Sequence, residues 1–492
     1  MNLRLLIRRL LRLVTTVFFR RVEVTGLEHI PATGGGVLVS WHPNGMIDPA
    51  LILDRFPRRL VFGARDGLFR WPGLGFLMRA LGTVPIYRAE DRENTQSGRR
   101  LQANRDSLGA LAREVAGGSF ACLFPEGDSH DSPHLLELKT GAARFYFEAR
   151  EQTGPDQPAP VILPVGLFYD RKRSFRSKAL LAFHPPIELP PELRALPPAD
   201  ADHEDHRSFY RAVTEEIDRV LTEVVRATED WELHFLMHRS RKLVRAERAA
   251  RSGATSEAPS MTERILGFYR VWLGYYARLK SHPEEVAALR QRVADYDADL
   301  QALGMEDHEL DRDPRLLSRA LIGILLLQAL AVFVLFPPFL LLGYVVNGPT
   351  ALLLLFLARK LGRRPKDEAS IKALAGILFF PLTWAAWGTL AWFGHISIRN
   401  YFPNMPDTPL AAALVTVVLG IAGGALALHY LRLARETSRA IRVRLTRRRR
   451  QATLEHLLAE RRILCSALES MSVGLELPGT VAEDGRILSE PG

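Results

Sequence analysis

A histidine and an aspartate follow an apolar run near the N-terminus at a spacing suited to proton transfer. The run Val37–Trp41 leads directly into His42, and Gly45 allows a tight turn before Asp48. An aspartate that binds one imidazole nitrogen orients the ring, so the other nitrogen can take a proton from a hydroxyl. The pair therefore predicts a general base. A structural alternative is a helix start, with Asp48 as N-cap and Pro49 in the first turn.

Two further polar blocks follow other apolar runs. Arg88 comes after Val84–Tyr87, and Glu126 and Gly127 come after Ser119–Phe124. A guanidinium can bind a phosphate through two parallel hydrogen bonds. Glycine lets the backbone approach a ligand, and the glutamate can bind acceptor hydroxyls or position Arg88. Ligands bind at strand ends along one edge of an α/β sheet, so these residues are expected near His42.

Short β-rich runs alternate with helical stretches through the first 190 residues. This alternation predicts an α/β domain with a mixed central sheet and flanking helices. The predicted helices include Asp91–Val115 and Lys139–Glu151. The predicted strands are Val37–Trp41, Leu60–Gly63, Val84–Tyr87, Ser119–Phe124, Val161–Phe168 and Ala179–Phe183.

These blocks, in this order, resemble the glycerolipid acyltransferase family over roughly residues 20–190. The family includes glycerol-3-phosphate and lysophosphatidate acyltransferases. The resemblance implies direct transfer of a fatty acyl group from a thioester donor, either acyl-CoA or acyl carrier protein. It implies His42 as the base, Asp48 as its partner, and Arg88 and Glu126 at the acceptor site. It implies no covalent intermediate, no cofactor and no metal.

Two departures from the usual family pattern indicate which branch of the family this sequence resembles. Five residues separate His42 from Asp48, where four are usual, and Asp128-Ser129-His130 replaces the usual Thr-Arg-Ser. The variants resemble the branch acting on glycerol 3-phosphate or dihydroxyacetone phosphate. Lys139 can supply the missing positive charge, and the acceptor stays open between glycerol 3-phosphate and a lysophospholipid such as 1-acylglycerol 3-phosphate. The complete substrate-binding set predicted is Asn44, Arg88, Glu126, Gly127, Ser129 and Lys139.

The predicted organisation has five parts. Residues 1–21 form an amphipathic helix, with arginines on one side and leucines on the other, which lies in a membrane interface or packs on its own domain. The acyltransferase domain covers 22–200, a helical region 201–315, an α-helical transmembrane domain 316–431, and a basic cytoplasmic tail 432–492. About four crossings are expected, and Leu316–Ala358 is either a helical hairpin or a kinked crossing with a short re-entrant piece.

The charge distribution favours a membrane partner over nucleic acid. The formal net charge is +10, and Arg442–Arg450 alone holds six arginines beside an apolar segment. Such a cluster attracts anionic lipid headgroups, or is a solvated helix face. The basic flanks 359–366 and 432–450 place both ends of the chain in the cytoplasm. Arginine is also far commoner than lysine, which indicates a bacterium and hence its inner membrane.

Several other chemistries are not expected. Cys122 and Cys465 are too few and too far apart for a disulfide framework, and Cys122 fits a packed strand. Asp128, His130 and His134 match no zinc pattern, so no metal site is predicted. Two rival functions remain: a remodelling transacylase of the same fold, and a non-catalytic membrane scaffold or transporter. The apolar segments lack the internal charged residues that a transport pathway needs.

Overall fold

A seven-stranded mixed sheet forms the centre of the N-terminal domain. The computed structural model describes residues 3–70, 72–86, 97–196, 202–253, 258–311, 319–361 and 367–489. The strand order is β1-β7-β6-β2-β5-β3-β4, and β2 to β6 run parallel to one another. β7 runs antiparallel to β6 and pairs in parallel with β1. The strands are β1 (Phe19–Thr25), β2 (Gly36–Ser40), β3 (Leu60–Arg65), β4 (Val84–Ile86), β5 (Phe120–Leu123), β6 (Val161–Tyr169) and β7 (Ser177–Phe183).

The predicted mixed sheet with flanking helices is confirmed, and all six predicted strands are present. The first seven helices are α1 (Leu3–Phe18), α2 (Ile47–Arg55), α3 (Asp66–Phe69), α4 (Pro72–Ala80), α5 (Ser97–Ala116), α6 (Gly141–Glu151) and α7 (His203–Val225). The predicted start of α5 at Asp91 lies outside the described residues.

The first compact unit extends beyond the predicted boundary at residue 200. It contains the described residues of Met1–His234 and of Arg364–Ser370. α7 belongs to it because Val213, Ile217 and Leu221 are buried in one cluster with apolar residues of β2, α5 and α6. Assigning α7 to a separate helical region was therefore wrong. Charged residues dominate its sequence and conceal the narrow apolar stripe that meets this core.

The N-terminal helix is shorter than predicted and packs on its own domain. α1 ends at Phe18, and the following residues form β1, so the predicted end at residue 21 is wrong. Arg12 forms an ion pair with Asp54 of α2, and Arg8 donates to the carbonyl of Phe56. Both arginines therefore bind their own domain, although the side chain of Arg12 stays 64% exposed. The opposite side of the helix carries an exposed apolar stripe made of Leu6, Leu10, Leu13 and Val17.

The second unit contains the described residues of Phe235–Arg363 and Ile371–Glu490. Its first helices are most of α8 (Trp231–Ser252), then α9 (Met261–Ser281), α10 (Pro283–Ala302) and α11 (Asp307–Leu310). The predicted separate tail over 432–492 is wrong. Residues Gln451–Ser470 form α16, which packs against α10 with Leu457 and Leu464 buried, and a two-stranded hairpin, β8 (Thr480–Val481) and β9 (Ile487–Leu488), follows.

A buried arginine joins the helices of this unit. Arg461 of α16 is 1% exposed and binds Glu247 of α8 at 2.9 Å. Its two terminal nitrogens contact the carboxylate of Asp311 at 2.6 Å each, in a parallel arrangement. It also donates to the backbone carbonyl of Asp307. A fully buried guanidinium requires such partners, because burying an unpaired charge is strongly unfavourable.

The apolar region is helical. Within its described part, α12 (Arg319–Leu330), a π-helical turn (Ala331–Leu335) and α13 (Phe336–Leu361) form one continuous run, not a hairpin or a re-entrant piece. A π-helical turn before Pro337 accommodates the missing backbone donor of proline.

Two further helices, α14 (Asp367–Tyr401) and α15 (Pro409–Arg449), complete this region. Their segments Glu368–Tyr401 and Pro409–Arg447 are long and apolar enough to cross a membrane, and Gly323–Leu335 is a shorter apolar helix. The count of about four crossings stays a prediction.

Candidate active site

The site forms where two adjacent parallel strands end. β2 and β5 pair in register from Gly36 opposite Phe120 to Val39 opposite Leu123. His42 lies three residues beyond Val39 and Glu126 lies three residues beyond Leu123, so the register sets them side by side. The backbone N–H of His42 donates to Oε1 of Glu126 at 2.9 Å. Loops at the carboxyl ends of parallel strands are the usual ligand-binding edge of such a sheet.

The predicted histidine–aspartate pair is present. Nδ1 of His42 lies 2.8 Å from Oδ2 of Asp48, and this same oxygen accepts the backbone N–H of Asn44 at 2.7 Å. Asp48 is completely buried. α2 begins at Ile47 with Met46 as its N-cap, so the capping alternative for Asp48 is wrong. The carboxylate is therefore directed at the imidazole and not at the helix end.

The outer nitrogen of His42 faces the open side of the site. The ring stacks on Phe124 with centroids 4.0 Å apart and planes at 12°. Gly45 has a φ of +52°, which lets the chain turn back between His42 and Asp48. The side chain of His42 is 16% exposed, and within the described part of the chain its Nε2 makes no hydrogen bond. This arrangement leaves Nε2 available to a hydroxyl.

Glu126 braces the loop that carries His42. The residue is buried, and its second oxygen accepts the backbone N–H of Leu136 at 2.9 Å and pairs with Nε2 of His130. Nδ1 of His130 accepts the N–H of Ser132, which places the proton of a neutral ring on Nε2, facing Glu126. These contacts hold backbone in place. Binding of acceptor hydroxyls by Glu126 stays a prediction.

Lys139 lies directly beside the turn that follows β5. Gly127 has a φ of +74°, and a Cβ placed there would lie 2.9 Å from Nζ of Lys139. The lysine is exposed, while its backbone N–H donates to the carbonyl of Pro125. The positive φ favours glycine at this turn. The structure thus brings two predicted binding residues together.

The remaining predicted residues occupy different positions. Asn44 is buried, and its side-chain amide donates to the carbonyl of Lys172 at 3.2 Å. Its contacts therefore hold the loop that follows β6. The backbone N–H of Ser129 donates to the carboxylate of Asp128 in the turn after Gly127. Arg88 lies outside the described residues, so its place at the acceptor site stays a prediction.

One residue at the site was missed by sequence reasoning. Tyr169 ends β6, and its hydroxyl donates to Oδ1 of Asp48, the oxygen that His42 does not contact. The predicted strand ended one residue earlier, at Phe168. A tyrosine at the end of an apolar strand resembles an ordinary core residue, and only the strand register shows that it reaches Asp48.

Other candidate chemistries find little support in the described residues. No group of three or more histidine, cysteine, aspartate or glutamate side chains there is placed to hold a metal ion. Asp131 instead pairs with Lys172 and Arg173. Cys122 is buried in β5, and its burial raises the pKa of the thiol, which disfavours the thiolate needed for nucleophilic attack. His42 and Asp48 are therefore the groups suited to chemistry.

The site belongs to a domain with known relatives. Residues 21–167 match the acyltransferase family model. An uncharacterised acyltransferase from Schizosaccharomyces pombe is 23% identical over 382 residues, which cover 61% of this chain and 54% of that protein. Glycerol-3-phosphate O-acyltransferase 1 from Saccharomyces cerevisiae is 24% identical over 279 residues, which cover 54% of this chain and 35% of that protein. The lyso-ornithine lipid O-acyltransferase from Rhodobacter capsulatus is 28% identical over 200 residues, which cover 36% of this chain and 66% of that protein.

The fold and the paired residues define an acyltransferase domain. Over this domain, the chain is similar to glycerolipid acyltransferases. The chain spans about half of the first relative and about a third of the second.

Proposed function

We propose that this protein is a membrane-bound O-acyltransferase that moves a fatty acyl group from a thioester to glycerol 3-phosphate in phospholipid biosynthesis. The observation that carries the proposal is the His42–Asp48 pair, with its Nε2 open to the site, inside a domain that matches the acyltransferase family. The donor is acyl-CoA or an acyl group carried as a thioester on acyl carrier protein (acyl-ACP). The same machinery also suits 1-acylglycerol 3-phosphate as an acceptor.

The proposed step needs only the imidazole. Nε2 of His42 takes the proton of the acceptor hydroxyl while the oxygen attacks the thioester carbonyl. The tetrahedral intermediate collapses with cleavage of the carbon–sulfur bond. The imidazolium, stabilised by Asp48, returns the proton to the departing thiolate. The products are an ester and a free thiol, so the proposal requires no cofactor.

A remodelling transacylase would use a phospholipid as donor in place of a thioester. The proposal predicts that transfer depends on added acyl-CoA and releases one thiol for each ester formed. Transfer from phospholipid without any thioester would support the transacylase instead.

Lys139 is expected to bind the acceptor phosphate. Glycerol 3-phosphate is small and charged, so polar contacts must supply nearly all of its affinity. Lys139→Ala should raise the KM for glycerol 3-phosphate roughly tenfold, the effect of losing one charge-assisted hydrogen bond. The KM for the acyl donor should stay unchanged. Steady-state kinetics with each substrate varied in turn will measure both constants.

Lys280 provides the matched control because it is an exposed lysine near the end of α9. Lys280→Ala should leave both constants at their wild-type values, and Lys139→Arg should keep most of the acceptor affinity. A Lys139→Ala enzyme with an unchanged KM for glycerol 3-phosphate would refute this role.

The membrane association proposed here draws on two features. α14 and α15 contain segments long and apolar enough to cross a bilayer. In the acyltransferase unit, Leu6, Leu10, Leu13 and Val17 form an apolar stripe on α1, each between 43% and 60% exposed. Such a stripe is suited to insertion at the lipid interface. A membrane-docked site lets a poorly soluble acyl chain enter and its product leave through lipid.

The proposed topology places the catalytic domain in the cytoplasm of a bacterium. Cys122 and Cys465 are buried and should not react, so single cysteines can be added to the natural chain. Ser281 and Thr480 are exposed, and each is replaced by cysteine in a separate variant, Ser281→Cys and Thr480→Cys. Both should resist a membrane-impermeant maleimide in intact cells and react after lysis.

Asn404→Cys, in the turn between α14 and α15, provides the contrast. If α14 and α15 each cross once and the basic flanks stay in the cytoplasm, this turn lies outside, so it should react in intact cells. Labelling of Ser281→Cys or Thr480→Cys before lysis would overturn the orientation.

A further inference from the structure

A third side chain completes the environment of the Asp48 carboxylate. The hydroxyl of Tyr169 donates to Oδ1, while Oδ2 binds Nδ1 of His42 and the backbone N–H of Asn44. Both oxygens of this buried carboxylate are thus bound. Among the described residues, Tyr169 donates the one side-chain hydrogen bond to the oxygen that His42 does not contact. The transfer step proposed above does not use this tyrosine.

The position of Tyr169 is fixed by the sheet. β6 pairs in parallel with β2 up to Val165 opposite Ser40 and continues beyond the end of β2. This extension carries Tyr169 to the level of the loop that holds His42. Its ring stacks on Phe19 of β1, with centroids 5.8 Å apart and planes at 25°. A side chain held by two strands has little rotational freedom, so its hydroxyl is a preorganised donor.

We propose that Tyr169 is a positioning residue for acyl transfer: its hydroxyl holds the Asp48 carboxylate in the orientation that aligns His42 and draws off part of its negative charge. The inference rests on the proposed function and deepens it. In this arrangement, Tyr169 binds the Asp48 carboxylate and acts on His42 through it. A hydrogen bond to a carboxylate stabilises its charged form, and so weakens its attraction for a neighbouring imidazolium.

The hydroxyl stays protonated under physiological conditions. Burial, and then the nearby charge of Asp48, raise the pKa of Tyr169 well above its ordinary value. Tyr169 is therefore a permanent donor and does not itself titrate with the enzyme. Among the described residues, the other ionisable groups around the pair are Glu126 and His130 from the turn after β5, and Cys122 from β5. A change at Tyr169 leaves those groups in place.

Removing the hydroxyl should change both rate and pH dependence. Without this donor, Asp48 directs more of its negative charge at His42, which favours the imidazolium over the neutral ring. Since His42 must be neutral to accept a proton, the acid limb of the kcat/KM profile should move to higher pH. Tyr169→Phe should also lower kcat about tenfold, the typical effect of losing one hydrogen bond to a charged group. Both KM values should stay unchanged.

Tyr146→Phe is the matched control, because Tyr146 is a buried tyrosine of the same domain that lies on α6. It should keep the wild-type kcat and pH profile. A second variant replaces Tyr169 with 3-fluorotyrosine, which keeps the shape of the ring and has a more acidic hydroxyl. This stronger donor should move the acid limb in the opposite direction, to lower pH than in the wild type.

The outcomes separate the inference from the proposed function. Opposite shifts of the acid limb in the two Tyr169 variants support the inference, since a merely structural role would not produce them. If Tyr169→Phe fails to fold, the test rests on the 3-fluorotyrosine variant alone. A kcat/KM pH profile of that variant identical to that of the wild type overturns the inference. An active wild type whose Tyr169→Phe variant keeps the same kcat and profile also overturns it, while the proposed function stands. A wild type that transfers no acyl group to any acceptor overturns both.

Discussion

His42→Ala is expected to lower the rate of acyl transfer by about 10²- to 10⁴-fold, the usual cost of losing a positioned general base. The reason is structural: Nε2 of His42 faces the open site, while Nδ1 is held by the buried carboxylate of Asp48. His130, the other histidine described at this site, does not replace it, because its Nε2 is paired with Glu126. Initial rates with radiolabelled acyl-CoA and purified protein will measure the loss.

The control for this variant is His282→Ala, which removes an exposed imidazole at the start of α10. It should keep wild-type activity. Both variants should show the thermal stability and membrane insertion of the natural protein. Activity of His42→Ala within threefold of the wild type would show that His42 is not the base.

Arg461→Met is expected to destabilise the second unit by about 3 kcal/mol. Removing this buried cation leaves the negative charges of Glu247 and Asp311 with less positive charge beside them in the interior. The expected cost is at the low end of the usual range for breaking a buried ion pair, because Glu247 keeps its contact with Arg251. The Tm in detergent should fall by roughly 6 to 12 °C, since 1 kcal/mol corresponds to about 2–4 °C in a unit of this size.

The adjacent residue supplies the control. Arg462 has the same side chain on the same helix but is exposed, so Arg462→Met should change the Tm very little. Equal Tm values for the two variants would contradict the structural importance of the buried guanidinium. Such a result would mean that water reaches the carboxylates once Arg461 is lost.

The sheet and the catalytic pair could be predicted because their signals are local. Each strand is a short apolar run bounded by glycine, proline or polar residues, and His42 follows one such run directly. The exception is β1, whose Arg20 and Arg21 resemble the end of a basic helix. β1 is a sheet-edge strand, so its arginines can extend into solvent while Phe19 packs inward.

The parts that were missed depend on contacts between distant residues. The motif around Glu126 indicates a site, but the sequence does not show that the carboxylate turns inward to bind the N–H groups of His42 and Leu136. Tyr169 lies 121 positions from Asp48, and only the pairing of β6 with β2 brings them together. In the sequence, Arg461 resembles a solvent-exposed arginine. Only the packing of α16 against the other helices shows that it is buried.

The most direct test of the proposed function is an acceptor panel. Purified wild-type protein in lipid nanodiscs is supplied with radiolabelled acyl-CoA and, in separate reactions, with glycerol 3-phosphate, 1-acylglycerol 3-phosphate or lyso-ornithine lipid. We predict that labelled 1-acylglycerol 3-phosphate forms from glycerol 3-phosphate at the highest kcat/KM, and that His42→Ala abolishes this product. Efficient acylation of either lysolipid with no product from glycerol 3-phosphate would contradict the proposed acceptor, and no labelled ester from any acceptor would contradict the proposed acyl transfer itself.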